Sequence, residues 1–281
     1  MTIEEFQQEL ESSSPGAMNI YRQFKTYQEK VLLALCAFRD VCENNRIPYQ
    51  LAYGSLLGAV RDSGQIPWDY DIDVFVPYCE KDHLIEVLKK ELDDSYYFIC
   101  PEVNPVCRHF FMRVTPKGYR SEAIHVDVFY VIGAPDEEPL EFGKKVLRLV
   151  RLRFAKLVYV RMETKGKPKK SIRWYLRKLK YLPISIKTIS DEFHELCSRY
   201  DCYHSKNLMS IDEWLDRQIL PNKIWQTELI ETTNGSFRIA SCYDELLTTM
   251  YGDYHKIPPL SARIDEFTHA YQRLRYFEEN W

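Results

Sequence analysis

Apolar residues recur at helical spacing between Asn19 and Asn45, where Phe24, Tyr27, Val31, Leu35, Phe38 and Val41 share one face, so this stretch predicts a long amphipathic helix. The period then changes. Gln50-Leu51-Ala52-Tyr53 is β-prone and free of breakers, which predicts a short strand ended by Gly54; Ser55 opens a short helix that Gly64 and Pro67 stop. Asp71-Ile72-Asp73-Val74-Phe75-Val76 alternates for one step and then runs apolar, as a strand entering a core does. A second helix follows from Cys79 to Leu92, then strands over Tyr96 to Cys100 and His109 to Val114. Ala123 to Val131 is the most β-prone run of the chain. The order predicts an α/β fold with a central sheet and helices packed on it. Gly133 to Pro139 is a loop and a natural boundary. Beyond it the pattern is mainly helical, with a hairpin around Asn234-Gly235. The expected organisation is a core over 1–135 with N-terminal helices, and a helical, basic region over 136–281 that packs on the core and completes its site.

Composition narrows the class. The 281 residues, 45% of them hydrophobic, suffice for one large domain or a core with an appendage. The N-terminus is acidic and lacks an apolar h-region, and no run approaches the roughly 18 apolar residues of a membrane span, so a cytoplasmic protein is expected. Eight scattered cysteines without Cys-x-x-Cys suit reduced thiols. His194, Cys197, Cys202 and His204 have imperfect spacing for zinc, and Cys197 shares an apolar face with Phe193 and Leu196.

Charge changes the picture more. From Lys144 to Lys187 there are 16 Lys and Arg against one acid, Glu163, so the stretch carries about +15 and the remainder about −18 of the total of −3. Val146, Leu149, Val150, Arg153, Phe154, Leu157 and Val158 with interleaved Arg and Lys read as a basic amphipathic helix, which Trp174, Tyr175, Leu176, Leu179, Tyr181 and Leu182 extend. An anionic membrane or glycopolymer fits this segment. Nucleic acid is the weaker alternative, and a solvated face that balances the acidic remainder is the plain one.

The candidate chemistry sits early. Asp71 and Asp73 share one face of their strand, while Ile72 and Val74 enter the core. Two carboxylates side by side repel; a hard divalent cation relieves them, and Mg²⁺ takes one or two carboxylates plus substrate phosphates. Gly54 and Ser55, where a strand passes into a helix, can cradle a phosphate on free backbone N–H groups. Asp127 lies alone at the centre of an apolar strand, so it is expected to reach a cleft or a cation. Arg61 either returns to hold a phosphate as a fork or favours its own helix C-terminus. Trp68 and Tyr70 flank Asp69, and their rings either stack on a base or a quaternary ammonium or pack in the core.

Gly54-Ser55-Leu56-Leu57-Gly58-Ala59-Val60-Arg61, then Ile66-Pro67-Trp68-Asp69 and Asp71-Ile72-Asp73, resembles the signature of the LicD and fukutin-related phosphotransferases, a branch of the nucleotidyltransferase superfamily. Tyr243-Asp244-Glu245-Leu246-Leu247 and Tyr251-Gly252-Asp253-Tyr254 before Pro258-Pro259 resemble that family's closing motif. One position departs: the family often has an acid where this chain has Tyr70. The resemblance implies a nucleotidyltransferase-like mixed sheet flanked by helices. It implies transfer of a phosphorylated alcohol, foremost phosphocholine, from a CDP-activated donor to a sugar hydroxyl of a lipid-linked, teichoic-acid-like or other cell-surface glycopolymer, with release of CMP. In that scheme Asp71 and Asp73 hold Mg²⁺, or Mn²⁺ in its place, Gly54 and Ser55 cradle phosphates, and Arg61, Trp68, Asp69 and Tyr70 meet substrate. Asp127 shares the metal or accepts the acceptor's proton. A nucleotidyltransferase that releases pyrophosphate, a metal-dependent glycosyltransferase and a non-catalytic glycopolymer-binding module are the alternatives.

Overall fold

The computed structural model of the chain describes residues 1–158, 172–212 and 215–279. The chain forms two compact units: Met1–Phe98, Arg113–Phe129 and Lys223–Trp281 make the first, and Ile99–Met112 with Tyr130–Asn222 the second. Sequence pattern grouped 136–281 as one region. The contacts instead return the chain beyond residue 222 to the N-terminal unit.

Along the chain the elements are α1 (Ile3–Ser13), α2 (Pro15–Asn44), β1 (Gln50–Leu51), α3 (Tyr53–Arg61), β2 (Ile72–Pro77), α4 (Lys81–Glu91), β3 (Tyr96–Ile99), β4 (Met112–Pro116) and β5 (Val126–Ala134). They continue with α5 (Pro139–Lys156), α6 (Ile172–Tyr181), α7 (Ile186–Cys197), β6 (Asn207–Ser210), β7 (Leu220–Pro221), β8 (Thr227–Thr232), β9 (Gly235–Ala240), α8 (Tyr243–Tyr251) and α9 (Leu260–Glu279).

In the first unit the strands lie in the order β1-β2-β5-β4-β3, and β8 and β9 form a separate antiparallel hairpin. The long helix α2 buries the predicted stripe Phe24, Tyr27, Val31, Leu35, Phe38 and Val41; it begins earlier than expected because Pro15, with its φ preset for a first turn, starts it. α1 precedes it, nucleated by a capping box in which Thr2 Oγ1 accepts from Glu5 N at 3.2 Å and the Glu5 carboxylate accepts from Thr2 N at 2.7 Å. α9 returns against both: Phe267 packs edge-on against Phe6 and Tyr21, at 6.1 and 5.3 Å between ring centroids. Arg263 of α9 also forks onto the Glu9 carboxylate at 2.7 and 2.9 Å.

In the second unit residues 131–134 of β5 pair antiparallel with β6, which pairs with β7. α5 and α7 pack together, and Phe193 of α7 stacks on Phe110 at 3.6 Å between ring centroids. Gly143 of α5 has no room for a side chain, since a Cβ there would lie 1.9 Å from the Leu215 carbonyl oxygen.

Cys36, Cys42, Cys100, Cys107, Cys197 and Cys242 are free thiols. Among the described residues no helix is long and apolar enough to cross a membrane.

Candidate active site

The site is built where β1 passes into α3. β1 pairs antiparallel with β2, Gln50 opposite Phe75 and Leu51 opposite Val74, and Ala52 N donates to Asp73 O at 2.9 Å. Tyr53 then turns the chain with a left-handed φ of +46°, a strained value for a residue with a side chain, and its ring sits edge-on to Phe75 and Phe129. The helix therefore starts at Tyr53 rather than at Ser55, and no side chain caps it. Ser55 works sideways instead: its Oγ accepts from Asp73 N at 2.8 Å and joins α3 to the carboxylate strand.

The loop after α3 folds straight back across the helix. Gly58 permits this, since a Cβ there would lie 2.5 Å from the Gly64 carbonyl oxygen, and the Gly58 carbonyl accepts from Asp62 N and Gly64 N at 2.8 and 3.2 Å. Two distant elements fix the loop. Gln28 of α2, fully buried, donates through Nε2 to the carbonyls of Ile66, Pro67 and Asp69. At the tip of the β8–β9 hairpin, Thr233 N donates to Ser63 O at 2.8 Å, and Asn234 Oδ1 accepts from Gln65 N at 3.4 Å. A cavity lined by Gly54, Ser55, Ile66, Asp69, Asp71 and Asn234 opens between these parts.

Carboxylates crowd this cavity. Asp71 and Asp73 are half-buried on the same face of their strand, with Ile72 and Val74 buried on the other, as the alternation required. Asp69 joins them: its Oδ1 accepts from Tyr70 N at 2.8 Å, and a Cβ on Gly54 would lie 3.1 Å from its Oδ2. Burial raises the Asp69 proton affinity well above the carboxylate range, and the charge of Asp71, a hydrogen bond shared with Asp71, and the charges of Asp73 and Glu266 raise it further. Glu266 is raised as well, by burial and by Asp71, with Arg61 opposing. The Tyr251 hydroxyl is pushed up by burial and then by Asp73, Asp69 and Asp71. Four acids thus share one electrostatic environment, in which a carboxyl–carboxyl hydrogen bond requires a proton.

The other predicted residues separate into those that face the cluster and those that do not. Arg61 faces it, opposing the rise of Glu266 and Tyr251, while its guanidinium forks onto Asp62 at 2.8 Å. Trp68 does not: it is buried, with Phe6 5.5 Å away and the guanidinium carbons of Arg61 and Arg263 5.5 and 5.3 Å from its ring, so the stacking reading gives way to core packing. Tyr70 is also buried, with Arg273 5.3 Å over its ring and, among the described residues, no hydrogen-bond partner for its hydroxyl, which likewise removes its ring from stacking on a substrate. Asp127 is compensated within the protein. Arg113 Nε lies 2.7 Å from its Oδ1, and His125 Nε2 lies 3.4 Å from its Oδ2. Burial alone would raise its proton affinity; the charges and hydrogen bonds of His125 and Arg113 outweigh burial and hold it below the usual range. Asp127 thus reaches a cation, as expected, but the cation is Arg113 of the protein itself, and its charge is met without a metal ion. Sequence reading missed Gln28, Glu266 and Arg273, which reach the site from helices with no local signal, and assigned no role to Tyr251.

The donor set fits a hard cation. Among the described residues no group of three or more His, Cys, Asp or Glu side chains is disposed to enclose a metal. A pair of carboxylates beside a cavity suits Mg²⁺, which completes its shell with water and phosphate oxygens.

Residues 46–138 match a family model described as LicD/FKTN/FKRP, nucleotidyltransferase domain. The lipopolysaccharide cholinephosphotransferase LicD of Haemophilus influenzae is 26% identical over 235 residues, covering 79% of this chain and 87% of that relative. The family match spans every predicted site residue from Gly54 to Asp127, including the junction, the return loop and the carboxylate strand just described. Over residues 46–138 the chain is therefore similar to the LicD/FKTN/FKRP nucleotidyltransferase domain.

Proposed function

We propose that the protein is a transferase that moves phosphocholine from CDP-choline to a sugar hydroxyl of a cell-surface glycan and releases CMP. The meeting of Asp69 and Asp71 with Gly54 and Ser55 in one cavity, with Asp73 on the same strand face as Asp71, carries this reading, because a pair of carboxylates beside a cavity is relieved when a hard cation joins them. The choice of alcohol follows the LicD relative, which is named for transferring choline phosphate to lipopolysaccharide. A teichoic-acid-like polymer is the other acceptor of the same class.

Asp71 and Asp73 would hold Mg²⁺, with Asp69 beside them. When bound, the ion supplies neutralisation of phosphate charge at the bond that breaks. The protein's own residues then orient. Gly54 keeps the wall bare so that a phosphate can approach, the Ser55 hydroxyl fixes α3 to β2, and Arg61 adds positive charge at the rim of the acidic cluster. Asp127 serves poorly as the proton acceptor for the sugar hydroxyl, because the partners that satisfy it also lower its affinity for a proton.

Incubation with CDP-choline, CDP-ribitol or CDP-glycerol, Mg²⁺ and a panel of glycan acceptors tests the reading. CMP release and a glycan heavier by one phosphocholine are expected. The description of the matched domain favours nucleotidyltransfer as the second reading. Pyrophosphate from a nucleoside triphosphate, with no CMP from any CDP-alcohol, would establish it instead.

A further inference from the structure

The structure redistributes the basic stretch between residues 144 and 187. Its first part, α5, is a core helix. Val146, Leu147, Leu149 and Leu157 are buried, and Arg153, the largest fully buried side chain, gives its guanidinium to Cys107 O at 2.9 Å, Ser190 Oγ at 3.0 Å and Pro105 O at 3.2 Å. Lys156 is also buried and donates to the carbonyls of Tyr181 and Leu182 at 2.8 and 2.7 Å. These two cations satisfy backbone and hydroxyl groups inside the protein; Lys144, Lys145, Arg148 and Arg151 are exposed, so α5 is amphipathic and basic as its sequence suggests, with its apolar face already used in the core. Lys169 and Lys170, in the middle of the stretch, lie outside the described residues.

α6 differs. Tyr175, Leu176, Leu179 and Leu182 leave 54, 60, 64 and 53% of their surface exposed. Positions 175, 179 and 182 follow i, i+4, i+7, and 176 joins them at i+3 from 179, so the four form one stripe. Arg173 and Lys180 are exposed alongside, and residues 172–187 hold five Lys and Arg and no acid. A contiguous apolar stripe this open marks an interaction surface rather than ordinary scatter.

We propose that α6 docks the protein on an anionic lipid bilayer, with the stripe at the acyl boundary and Arg173 and Lys180 among the headgroups. Charge selects this occupant. A second copy of the same face would bring basic side chains against basic side chains, whereas an anionic leaflet attracts each by about 1 kcal/mol. Length agrees: the ten residues of α6 span about 15 Å at 1.5 Å per residue, half the hydrocarbon thickness, so the helix lies on the bilayer and not across it. Lys156 already fixes its C-terminal end through Tyr181 and Leu182, so little ordering is left for binding. The inference does not depend on the catalytic reading, because its test needs no turnover.

Co-sedimentation of the full chain with phosphatidylcholine vesicles, with and without a phosphatidylglycerol fraction, is the experiment. Binding is expected only with phosphatidylglycerol, falling as salt rises. Leu176→Ser with Leu179→Ser should weaken it about tenfold or more, as should Arg173→Glu with Lys180→Glu. Both pairs should keep the wild-type melting temperature. Equal binding to pure phosphatidylcholine, or none to either vesicle, overturns the proposal. So does a wild-type dimer that the leucine pair disperses, since the stripe would then belong to a second copy.

Discussion

Gln28 reaches from the middle of α2 to the return loop and offers one amide nitrogen to three carbonyls, at 3.1, 3.1 and 2.5 Å, while its own Oε1 is buried without a partner. Two N–H groups cannot serve three acceptors fully, and the stranded oxygen costs about 1–3 kcal/mol, so the residue is placed for the loop it holds rather than for stability. Gln28→Met keeps the volume and removes the donors. Turnover is expected to fall about 10–100-fold, and stabilisation by Mg²⁺ in thermal melts to shrink with it; a variant with lower melting temperature but normal turnover would reduce Gln28 to a core residue. Asp71→Asn and Asp73→Asn should each cost about 10²–10³ in turnover and leave the fold intact, because each removes charge from a crowded cluster and no packing. Near-normal turnover in either would remove the metal assignment. These two residues were legible because a period of two fixes which face of a strand they occupy. Trp68 was not, since a ring beside a carboxylate reads the same whether it points in or out, and Phe6 and Arg263 arrive from far along the chain. The Arg113 that satisfies Asp127 stands on a different strand, where no local pattern points to it.

The β8–β9 hairpin shows the same division at the level of elements. Its existence was visible from Asn234-Gly235 between two β-prone runs; the register places Thr232 opposite Gly235, so Thr233 and Asn234 form the turn and Gly235, with φ +111°, begins the return strand. Invisible in the sequence was the use of the tip, which grips Ser63 and Gln65 and so braces the loop before Asp69. Thr233→Ala with Asn234→Ala should leave β8 and β9 paired while turnover falls about tenfold, a loss of outer support rather than of a ligand. Circular dichroism and steady-state rates separate the two effects; an unaffected rate would make the tip ornamental. α2 was read correctly because its stripe is long and strictly helical. α5 was read correctly as a basic amphipathic helix, but the protein's own cover over its apolar face was not legible, since periodicity names a buried face without naming what covers it.

For the whole molecule, Asp69 and Asp127 give acid stability two phases of opposite sign. Asp69 has a raised proton affinity in the fold, so without metal the protein should gain stability as pH falls from neutral towards the ordinary carboxylate value of about 4. Asp127 is depressed, so its contribution is full above that value and is lost as pH falls below it. Melting temperature followed against pH should therefore rise and then fall. Added Mg²⁺ should flatten the rise by replacing the proton, and Arg113→Met should remove much of the fall while costing about 3–5 kcal/mol at neutral pH. A monotonic profile that Mg²⁺ does not alter would contradict the raised proton affinity of Asp69. The division into units carries a further consequence, for the order of events on the ribosome. Residues 99–112 and 130–222, which make up the second unit, are all synthesised before residue 223, whereas α9 must pack on α1 and α2 and Glu266 must reach Asp71 before the first unit closes. The first unit thus closes only after the second has been translated, although its carboxylates are made early, and until α9 is made its unfinished core stays open to other chains.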